Sequence, residues 1–488
     1  MNLIGDLLER FPASKPLLLS ISAEGERRVW HAGELIAMSA GLSGAFAARG
    51  VRRGDVVMTL VGNRVEWVLA LLACWRMGAT ALPCSTQLRR ADLAHRAATA
   101  NPALCIGSED PLAELPDGIP SMTLAEVADV LDEDRPQETP AAIEDLGPDD
   151  PALIVFTSGT TGEPRAALHA QRYLTAQRSQ AEHWLGATEG DLVWCTTGTG
   201  WSKSARNIFL APWLCGAAAV LHERRFDPAE RLDLCEREQV SVLCQAPTEY
   251  RMLVRRAELR PLPALRRAVS AGEALDRDAI DAWRHATGLE IHDGYGQTET
   301  GHLAGSLTSI PVRPGSMGKP LPGFDLRIAN GELEVRVASC PTFFARYLDS
   351  DPFAGEWWPT GDLVREDADG YLWHQGRRDD LIVSAGYRIG PQEVEAALAS
   401  HPAVAEAAAV PAPDRERGAV VKAVVVLDGR SPSAELAREL QDHVKAVTAP
   451  YKFPRIVEFA ESLPRTSSGK LRRAALRTDG GPPTRPAR

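Results

Sequence analysis

The 488-residue sequence lacks the patterns that would indicate a metalloprotein, a secreted protein or a membrane protein. Its eight cysteines form no C-x-x-C pair or zinc-type spacing, and its eleven histidines form no H-E-x-x-H motif. This predicts reduced, mostly buried thiols and no structural metal site. The longest apolar run covers 13 residues, 209–221, whereas a transmembrane helix needs about 20. Acidic residues at positions 6 and 9 argue against a signal peptide. We therefore expect a soluble cytoplasmic protein.

A strong positive charge and a nucleophile signature are absent as well. The formal net charge is -11 and the pI is about 5.6, which argues against nucleic acid or an anionic membrane as the main partner. The sequence shows no Ser-His-Asp or Cys-His arrangement that would indicate covalent catalysis. A chain of this length is too long for one compact core, so we expect two or more domains.

Strand-like and helical segments alternate through residues 55–107 and again through residues 191–296. This alternation predicts stacked β–α units on largely parallel sheets. An Asn-Gly pair at 330–331 predicts a hairpin. We therefore predict an α/β fold: a large N-terminal domain of stacked α/β subdomains plus a hairpin-rich subdomain, with a small mobile α+β C-terminal domain. The predicted bounds are 1–376 for the N-terminal domain, 377–380 for a hinge, 381–477 for the C-terminal domain and 478–488 for a disordered tail.

The segment LIVFTSGTTGEPRAALH, residues 153–169, joins a strand-like run to a loop of glycines and hydroxyls. Glycines let the backbone approach an anion, the hydroxyls can donate to it, and Arg165 supplies a cation. We expect a strand before this loop and a helix after it, which favours a phosphate-binding loop. The spacing differs from that of a P-loop, and a Ser/Gly-rich surface loop is the alternative.

Three other segments carry polar groups suited to a nucleotide. In DGYGQTETG, Tyr295 offers a flat face for a purine, and Thr298 and Glu299 could reach phosphate oxygens and Mg²⁺. The alternative there is a turn with a capping box. Asp362 in TGDLV, at a predicted strand end, suits the hydroxyls of a ribose, although such aspartates are more often capping residues. Lys470 follows a Ser-Ser-Gly loop that would let it swing into a site, and a solvated basic tail is the alternative.

Taken in this order, the segments resemble the motifs of the adenylate-forming superfamily of acyl- and aryl-CoA synthetases, peptide-synthetase adenylation domains and beetle luciferases. The resemblance covers nearly the whole chain. It is closest to medium-chain acyl-CoA synthetases, on the motifs GTGW, APTEYRML, YGQTETG, GSMGKP, SAGYRIGP, RGAVVKA and HVKAVTAPYKFPR. It implies that a carboxylate attacks the α-phosphorus of ATP, pyrophosphate leaves, and the thiol of CoA then displaces AMP. ATP, Mg²⁺ and CoA are implied, and catalysis would rest on positioning and charge neutralisation.

The resemblance also implies roles for individual residues. Lys470, Glu299, Thr298 and Arg165 would be catalytic, with Glu299 holding Mg²⁺, and Asp379 would be the hinge residue. The residues implied to bind ATP are Thr157, Ser158, Gly159, Thr160, Thr161, Gly162, Glu163, Pro164, Arg165, Asp293, Gly294, Tyr295, Gly296, Gln297, Thr298, Asp362, Arg377, Arg388 and Lys470. Those implied to bind CoA are Gln87, Ala385, Gly386, Tyr387, Arg417, Lys445, Phe453, Pro454 and Arg455. Those implied to line the acyl pocket are Trp201, Ser202, Ala205, Ala271, Gly272, Glu273 and Gly296.

The sequence departs from the family pattern at a few of these positions. Arg165 replaces the usual lysine of the phosphate loop, and the two cations are not equivalent. Thr199 stands where the medium-chain branch commonly has aspartate, and the nearby Ser-Lys-Ser makes the acyl region more polar, which argues against a simple fatty acid and leaves a polar or functionalised acid as an alternative. Gly296 stands where acetyl-CoA synthetases carry tryptophan, which leaves room for a longer or aromatic acid.

The charge of the C-terminal region indicates which thiol accepts the acyl group. Residues 442–477 contain eight Lys or Arg and three Asp or Glu, a basic stretch suited to the phosphates of CoA. A solvated basic face is the alternative. Transfer to the phosphopantetheine of a carrier protein is the alternative function, and a weakly active nucleotide-binding regulatory protein is an alternative of another class. The expected partners are a small carboxylic acid, ATP and CoA, without nucleic acid or membrane, in a monomer or homodimer.

Overall fold

The computed structural model describes residues 1–132, 138–157, 164–273, 275, 277–384, 387–415, 417–465 and 471–477. The chain divides into two compact units. The larger comprises residues 1–157, 164–325 and 336–356, and the smaller comprises residues 326–335 and the chain from residue 357 onward.

The strands are β1 (Pro16–Ile21), β2 (Arg27–His31), β3 (Val56–Leu60), β4 (Thr80–Pro83), β5 (Leu104–Gly107), β6 (Ser121–Thr123), β7 (Pro151–Phe156), β8 (Ala166–Ala170), β9 (Leu192–Cys195), β10 (Ala218–His222), β11 (Val242–Gln245), β12 (Arg267–Ala271), β13 (Ile291–Gln297), β14 (Gly301–Gly305), β15 (Lys319–Pro320), β16 (Leu326–Ala329), β17 (Glu332–Arg336), β18 (Arg346–Tyr347), β19 (Trp357–Glu366), β20 (Leu372–Arg377), β21 (Ile382–Ser384), β22 (Tyr387–Ile389), β23 (Val404–Asp414), β24 (Gly418–Leu427) and β25 (Ile456–Phe459).

The α-helices are α1 (Leu3–Asp6), α2 (Ala32–Ala48), α3 (Val65–Arg76), α4 (Arg90–Ala100), α5 (Glu109–Ala113), α6 (Leu124–Leu131), α7 (Gln171–Thr175), α8 (Arg178–Gln180), α9 (Lys203–Ala205), α10 (Ala211–Leu214), α11 (Pro228–Arg237), α12 (Pro247–Arg256), α13 (Arg277–Thr287), α14 (Pro391–Ala399), α15 (Ala434–Val447) and α16 (Arg473–Arg477). Two π-helical turns, Ala181–Leu185 and Arg206–Leu210, continue α8 and α9. Short 3-10 helices cover Leu8–Arg10, Val337–Ser339, Arg378–Asp380 and Pro450–Lys452.

Two largely parallel sheets form the larger unit. One has nine strands in the order β15-β14-β13-β12-β11-β9-β10-β1-β2, and the other has seven in the order β18-β8-β7-β4-β3-β5-β6. The inner strands of both pair in parallel, while β2, β14, β15, β8 and β18 add antiparallel edges. The predicted α/β alternation is confirmed. In open sheets of this kind, ligands bind beyond the carboxyl ends of the parallel strands.

The apolar run at 209–221 illustrates how the sequence forms these layers. It is too short to cross a bilayer, and it folds as the end of a π-helical turn, then α10, then β10. The side chains of Phe209 and Trp213 are fully buried, and the Trp213 indole donates to the carbonyl of Leu17, 2.8 Å away. Among the described residues, no helix is both long enough and apolar enough to traverse a membrane.

One predicted element is wrong. Residues 166–169 form strand β8, not a helix, and pair antiparallel with β7. The predicted phosphate loop therefore joins two adjacent strands of one sheet. A helix dipole directly after this loop cannot contribute to anion binding, so any such binding rests on backbone amides, hydroxyls and cations.

The smaller unit contains the predicted hairpin and the predicted α+β region. Asn330 and Gly331 have φ values of 54° and 83°, as the tight turn between β16 and β17 requires. These strands belong to a four-stranded sheet, β16-β17-β19-β20. Strands β23, β24 and β25 form a second sheet, and apolar residues of α14 and α15 pack in the same core. The predicted hinge residue Asp379 lies in the 3-10 helix between β20 and β21.

The eight cysteines are free thiols, seven of them buried and Cys215 half-buried, as the sequence predicted. Burial raises the pKa of several of these thiols; that of Cys84, for example, rises to about 12.

Candidate active site

Thr157 and Arg165 hold together the two ends of the predicted phosphate loop. The amide of Thr157 donates to the carbonyl of Arg165, 2.8 Å away. The amide of Arg165 donates to the hydroxyl of Thr157 at 3.2 Å. The loop thus starts and ends at one point on the edge of the seven-stranded sheet. The predicted ATP-binding residues between them, Ser158 to Glu163, lie outside the described residues.

The guanidinium of Arg165 is engaged by residues far away in the sequence. Its Nε and Nη2 donate to the two carboxylate oxygens of Asp349 at 3.2 and 2.7 Å, and Nη2 also donates to Ser350 Oγ at 3.3 Å. The same guanidinium lies over the ring of Tyr347, 3.6 Å from its centroid. The pairing of β18 with β8 explains this arrangement, because it places Tyr347 beside Ala167, which is two residues after Arg165. The hydrogen bonds raise the pKa of Arg165 and lower the pKa of Asp349.

Tyr347 connects this cation to the predicted magnesium ligand. Its hydroxyl donates to Glu299 Oε1 at 2.6 Å. Burial and the Glu299 carboxylate raise the pKa of the Tyr347 hydroxyl, so the phenol remains a proton donor at neutral pH. The backbone carbonyl of Glu299 accepts from the amide of Phe344 at 2.8 Å. Arg165, Tyr347 and Glu299 therefore form one connected arrangement in the larger unit.

Glu299 is a suitable ligand for Mg²⁺. One of its oxygens accepts from Tyr347, which orients the carboxylate. Mg²⁺ is commonly held by one or two carboxylates together with phosphate oxygens of the substrate, so a single carboxylate fits that ion. The described part of the chain contains no cluster of three or more His, Cys, Asp or Glu side chains that could form a complete protein cage for a metal.

Residues 293–297 belong to β13, and Thr298 and Glu299 lie in the turn before β14. The two strands approach closely here. A Cβ on Gly296 would lie 2.0 Å from the carbonyl oxygen of Gly301, and a Cβ on Gly294 would lie 2.4 Å from the imidazole of His302. Both positions therefore require glycine in this backbone. The register of β13 and β14 also shifts between Tyr295 and Gly296, and such a bulge re-aims the side chains beside it.

The residues predicted to line the acyl pocket come from two neighbouring regions of the nine-stranded sheet. Trp201, Ser202 and Ala205 lie before and within α9, after β9, whereas Ala271, Gly272 and Glu273 lie at the carboxyl end of β12. The structure brings these two groups together. The ammonium of Lys203 donates to the carbonyl of Ala271 and lies 2.5 Å from where a Cβ on Gly272 would be. Glu273 accepts from Thr248 Oγ1 at 2.8 Å and from Arg251 Nη2 at 2.9 Å.

In the smaller unit, Asp362 and Arg377 are neighbours on β19 and β20. Asp362 is buried within the ten-residue strand β19, not at a strand end, so that prediction is corrected. Its Oδ2 lies 3.4 Å from Arg377 Nη1, and its Oδ1 lies 3.0 Å from His374 Nε2. Arg377 lies against Gly361, which has a φ of 73°; a Cβ there would be 2.7 Å from Arg377 Nη2. The pair predicted to bind ribose is thus in contact.

Four of the residues predicted to bind CoA make aromatic contacts in the smaller unit. The ammonium of Lys445 lies 4.4 Å from the ring centroid of Phe453, and the guanidinium of Arg455 lies 5.0 Å from it. Tyr387 is half-exposed and stacks on Tyr451, with the ring centroids 4.4 Å apart.

Other predicted residues are placed separately. The Arg417 Nε donates to Ser384 Oγ at 3.4 Å, and Pro454 is buried. In the larger unit, Gln87 is exposed, and its amide donates to Ser85 Oγ at 3.3 Å. Asp379 lies 3.9 Å from Arg377. Lys470, Ala385, Gly386 and the side chain of Arg388 lie outside the described residues.

The sequence interpretation missed three residues that organise the site: Tyr347, Asp349 and His374. Tyr347 and Asp349 stand in the segment ARYLDSDPF, where an aromatic residue two positions before an aspartate is too common a pattern to indicate a role. Their contact with Arg165 spans more than 180 residues. His374 lies three residues before Arg377, and only the pairing of β19 with β20 shows that it faces Asp362.

Known proteins resemble the chain over nearly its whole length. The family model of AMP-binding enzymes matches residues 8–339, and that of the AMP-binding enzyme C-terminal domain matches residues 393–470. An uncharacterized acyl-CoA ligase of Bacillus subtilis (strain 168), YtcI, is 37% identical over 98% of this chain and 95% of that protein. The mitochondrial acyl-coenzyme A synthetase ACSM3 of Homo sapiens is 38% identical over 95% of this chain and 86% of that protein.

A solved structure extends the similarity to the fold. The anthranilate CoA ligase AuaEII in complex with anthranoyl-AMP superposes with a TM-score of 0.85 at 29% identity, over 98% of this chain and 96% of that chain. The two family models together match residues 8–339 and 393–470, and the two relatives and this structure each cover at least 95% of the chain. The chain therefore belongs to the AMP-binding enzyme family and, within it, to the acyl-CoA synthetases.

Proposed function

We propose that the protein is an ATP-dependent carboxylic acid–CoA ligase that acts through an acyl-adenylate on a medium-chain or aromatic acid. The observation that carries the proposal is the connected arrangement of Arg165, Tyr347 and Glu299 at the base of the phosphate loop. It occurs in a chain that matches acyl-CoA synthetases over at least 95% of its length. Glu299 would hold the Mg²⁺ that neutralises charge on the triphosphate, and Asp362 and Arg377 would contact the ribose.

The chemistry requires a good leaving group at the acyl carbon. A carboxylate oxygen leaves poorly, whereas adenylate leaves well, so the enzyme first forms the mixed anhydride with AMP. No protein nucleophile takes part, and the rate comes from positioning and from cations placed near the α-phosphorus. Lys470 would supply such a point charge during adenylation.

Two features support an acid larger than acetate. Gly296 stands where acetyl-CoA synthetases carry the tryptophan that closes their pocket, so this chain has no side chain at that position to exclude a longer or aromatic acid. The similar anthranilate CoA ligase acts on an aromatic acid, as its name states. An apolar pocket discriminates by only about 1–3 kcal/mol per methylene, so we expect activity on a range of chain lengths.

Acid-dependent exchange of pyrophosphate into ATP tests the first half-reaction, and mass spectrometry of the thioester formed with free CoA tests the second. We expect exchange with medium-chain and aryl acids, weak exchange with acetate, and acyl-CoA formation without a carrier protein. Removal of Mg²⁺ with a chelator is expected to stop pyrophosphate exchange, and with it acyl-CoA formation from the free acid.

Two outcomes would contradict the proposal in different ways. The absence of exchange across a broad panel of acids would mean that the chain does not form acyl-adenylates, which favours a regulatory nucleotide-binding role. If exchange occurs without acyl-CoA formation and the acyl group is transferred to the phosphopantetheine of a carrier protein, the acceptor is the carrier protein and not free CoA.

A further inference from the structure

His374 joins the carboxylate predicted to bind ribose to the first turn of helix α14. Nε2 of its ring lies 3.0 Å from Oδ1 of Asp362, and Nδ1 lies 3.2 Å from Oε1 of Gln392. Asp362 belongs to β19, whereas Gln392 belongs to α14, which follows the predicted hinge. We call Asp362, His374 and Gln392 the His374 bridge.

A bulge in β20 places His374 on the same face of the sheet as Asp362. His374 and Arg377 are three residues apart, so a regular strand would direct their side chains to opposite faces. In this ladder Asp362 pairs with Arg377. Val364 pairs with His374, so Gln375 is the extra residue of the bulge. The bulge thereby lets both side chains of β20 reach the same carboxylate.

The start of α14 rests on this bulge. Gly376, beside the extra residue, has a φ of 127°, a conformation that residues with a side chain rarely adopt. Pro391 Cδ lies 4.0 Å from where a Cβ on Gly376 would be. A Cβ on Gly390 would lie only 3.0 Å from the carbonyl oxygen of the bulged residue. This close approach of helix and strand brings Gln392 within reach of the imidazole.

The bridge orients a buried carboxylate. Oδ1 of Asp362 contacts His374, and Oδ2 lies 3.4 Å from Arg377 Nη1. Each carboxylate oxygen can accept more than one hydrogen bond, so both can still accept from the hydroxyls of a ribose. The amide of Gln392 can turn its oxygen or its nitrogen toward the ring, so it holds the imidazole in either protonation state. A carboxylate oriented before the nucleotide arrives loses less freedom on binding.

We propose that His374 is a positioning residue that couples the affinity of the ribose site to the contact of α14 with β20. This inference rests on the proposed acid–CoA ligase function and on the predicted hinge. Asp379 lies between β20 and α14 in the chain, so a rotation about it that carries residues 381–477 moves Gln392 away from His374. The bridge is then complete in only one half-reaction. By linkage, a nucleotide bound in that half-reaction favours the contact of α14 with β20 equally.

Substitutions at the two residues separate the two contacts of the imidazole. Gln392→Leu removes the contact with α14, and we expect it to raise KM in one half-reaction only, by roughly threefold to tenfold. The two values compared are KM for ATP in pyrophosphate exchange and KM for a supplied acyl-adenylate in thioester formation. His374→Leu removes the contact with Asp362 and is expected to raise both. We expect kcat to stay unchanged, because a group that acts on ground state and transition state alike changes KM.

Gln441→Leu, on α15 of the same unit, is the matched control and is expected to leave KM for ATP unchanged. The inference is overturned if Gln392→Leu changes KM in neither half-reaction or in both equally. It is also overturned if Gln392→Leu lowers kcat at constant KM, as a purely structural role would.

Calorimetric binding of AMP provides a readout that needs no turnover. We expect His374→Leu to raise the Kd of AMP by roughly threefold or more relative to wild type, and an unchanged Kd would overturn the inference. If the wild type shows no pyrophosphate exchange with any acid, the ligase function is contradicted, and the Kd of AMP still decides whether His374 positions the ribose site.

Discussion

Arg165 stands where the family resemblance leads one to expect a lysine, and the structure shows how its guanidinium is used. The planar fork donates to both oxygens of Asp349 and stacks on Tyr347, whose hydroxyl holds Glu299. A lysine has no planar face and cannot bind both oxygens of one carboxylate in parallel. The arginine therefore acts by positioning Tyr347 and Glu299 as well as by its charge.

We predict that Arg165→Lys lowers kcat/KM for pyrophosphate exchange by roughly tenfold, because a charge-assisted bidentate contact is lost while the charge remains. Tyr347→Phe is expected to act in the same direction, and the double variant should lose less than the sum of the two. Arg178→Lys, in a surface pair with Glu182, serves as the control. Additive losses would show that Arg165 and Tyr347 act independently, and an improved Arg165→Lys enzyme would show that the guanidinium is not needed.

At the scale of elements, β8 shows what local sequence could and could not predict. The segment AALHA favours a helix by its alanine content, yet it forms a strand that pairs with both β7 and β18, since tertiary pairing overrides intrinsic propensity. The long periodic segments that form α3, α14 and α15 were predicted correctly, as was the Asn-Gly hairpin. Asp362 and Arg377 were identified from their motifs, but their partner His374 depends on strand register, which spacing alone does not reveal.

His169 lies near the C-terminal end of β8, and its burial makes the stability of the fold depend on pH. Its imidazole is fully buried against Tyr173 of α7, with ring centroids 4.1 Å apart. Burial and the nearby Arg206 and Arg172 lower the pKa of His169 to about 3. The unfolded chain, with a pKa of about 6.5, then binds more protons than the folded protein between those two values. The stabilisation due to neutral His169 is therefore complete above about pH 6.5 and is lost as the pH falls toward 3.

We predict that His169→Phe reduces the loss of unfolding free energy between pH 7 and pH 5 by about 2 kcal/mol. Urea unfolding of wild type and variant at both pH values measures this difference, whatever the stability of the variant at pH 7. Part of the loss should persist, because burial also lowers the pKa of His292, to about 4. His285→Phe, at an exposed position on α13, is the control. An unchanged pH dependence in His169→Phe would mean that folding does not lower the pKa of His169.

At the scale of the whole molecule, the two compact units divide the proposed chemistry between them. The larger contains Thr157, Arg165, Glu299 and the residues predicted to line the acyl pocket, and the smaller contains Asp362, Arg377 and most of the residues predicted to bind CoA. The predicted hinge at 377–380 includes the 3-10 helix Arg378–Asp380, where Asp380 pairs with both Arg473 and Arg477 of α16. The predicted domain bounds and a rotation about Asp379 between the two half-reactions remain predictions.

A change at Lys470 separates the two half-reactions. If Lys470 supplies charge only while the carboxylate attacks the α-phosphorus, Lys470→Ala should lower pyrophosphate exchange by a factor of about 100 or more. Thioester formation from a supplied acyl-adenylate should be largely spared, because that step needs the acyl pocket and CoA rather than charge at the attacking carboxylate. Lys422→Ala, at a lysine paired with Glu458 in the same unit, controls for the loss of a positive charge and should leave both steps intact. Equal loss of the two steps in Lys470→Ala would mean that the lysine supports the smaller unit as a whole. Selective loss of adenylation would instead show that the C-terminal segment enters the site for one half-reaction only, as a hinged smaller unit requires.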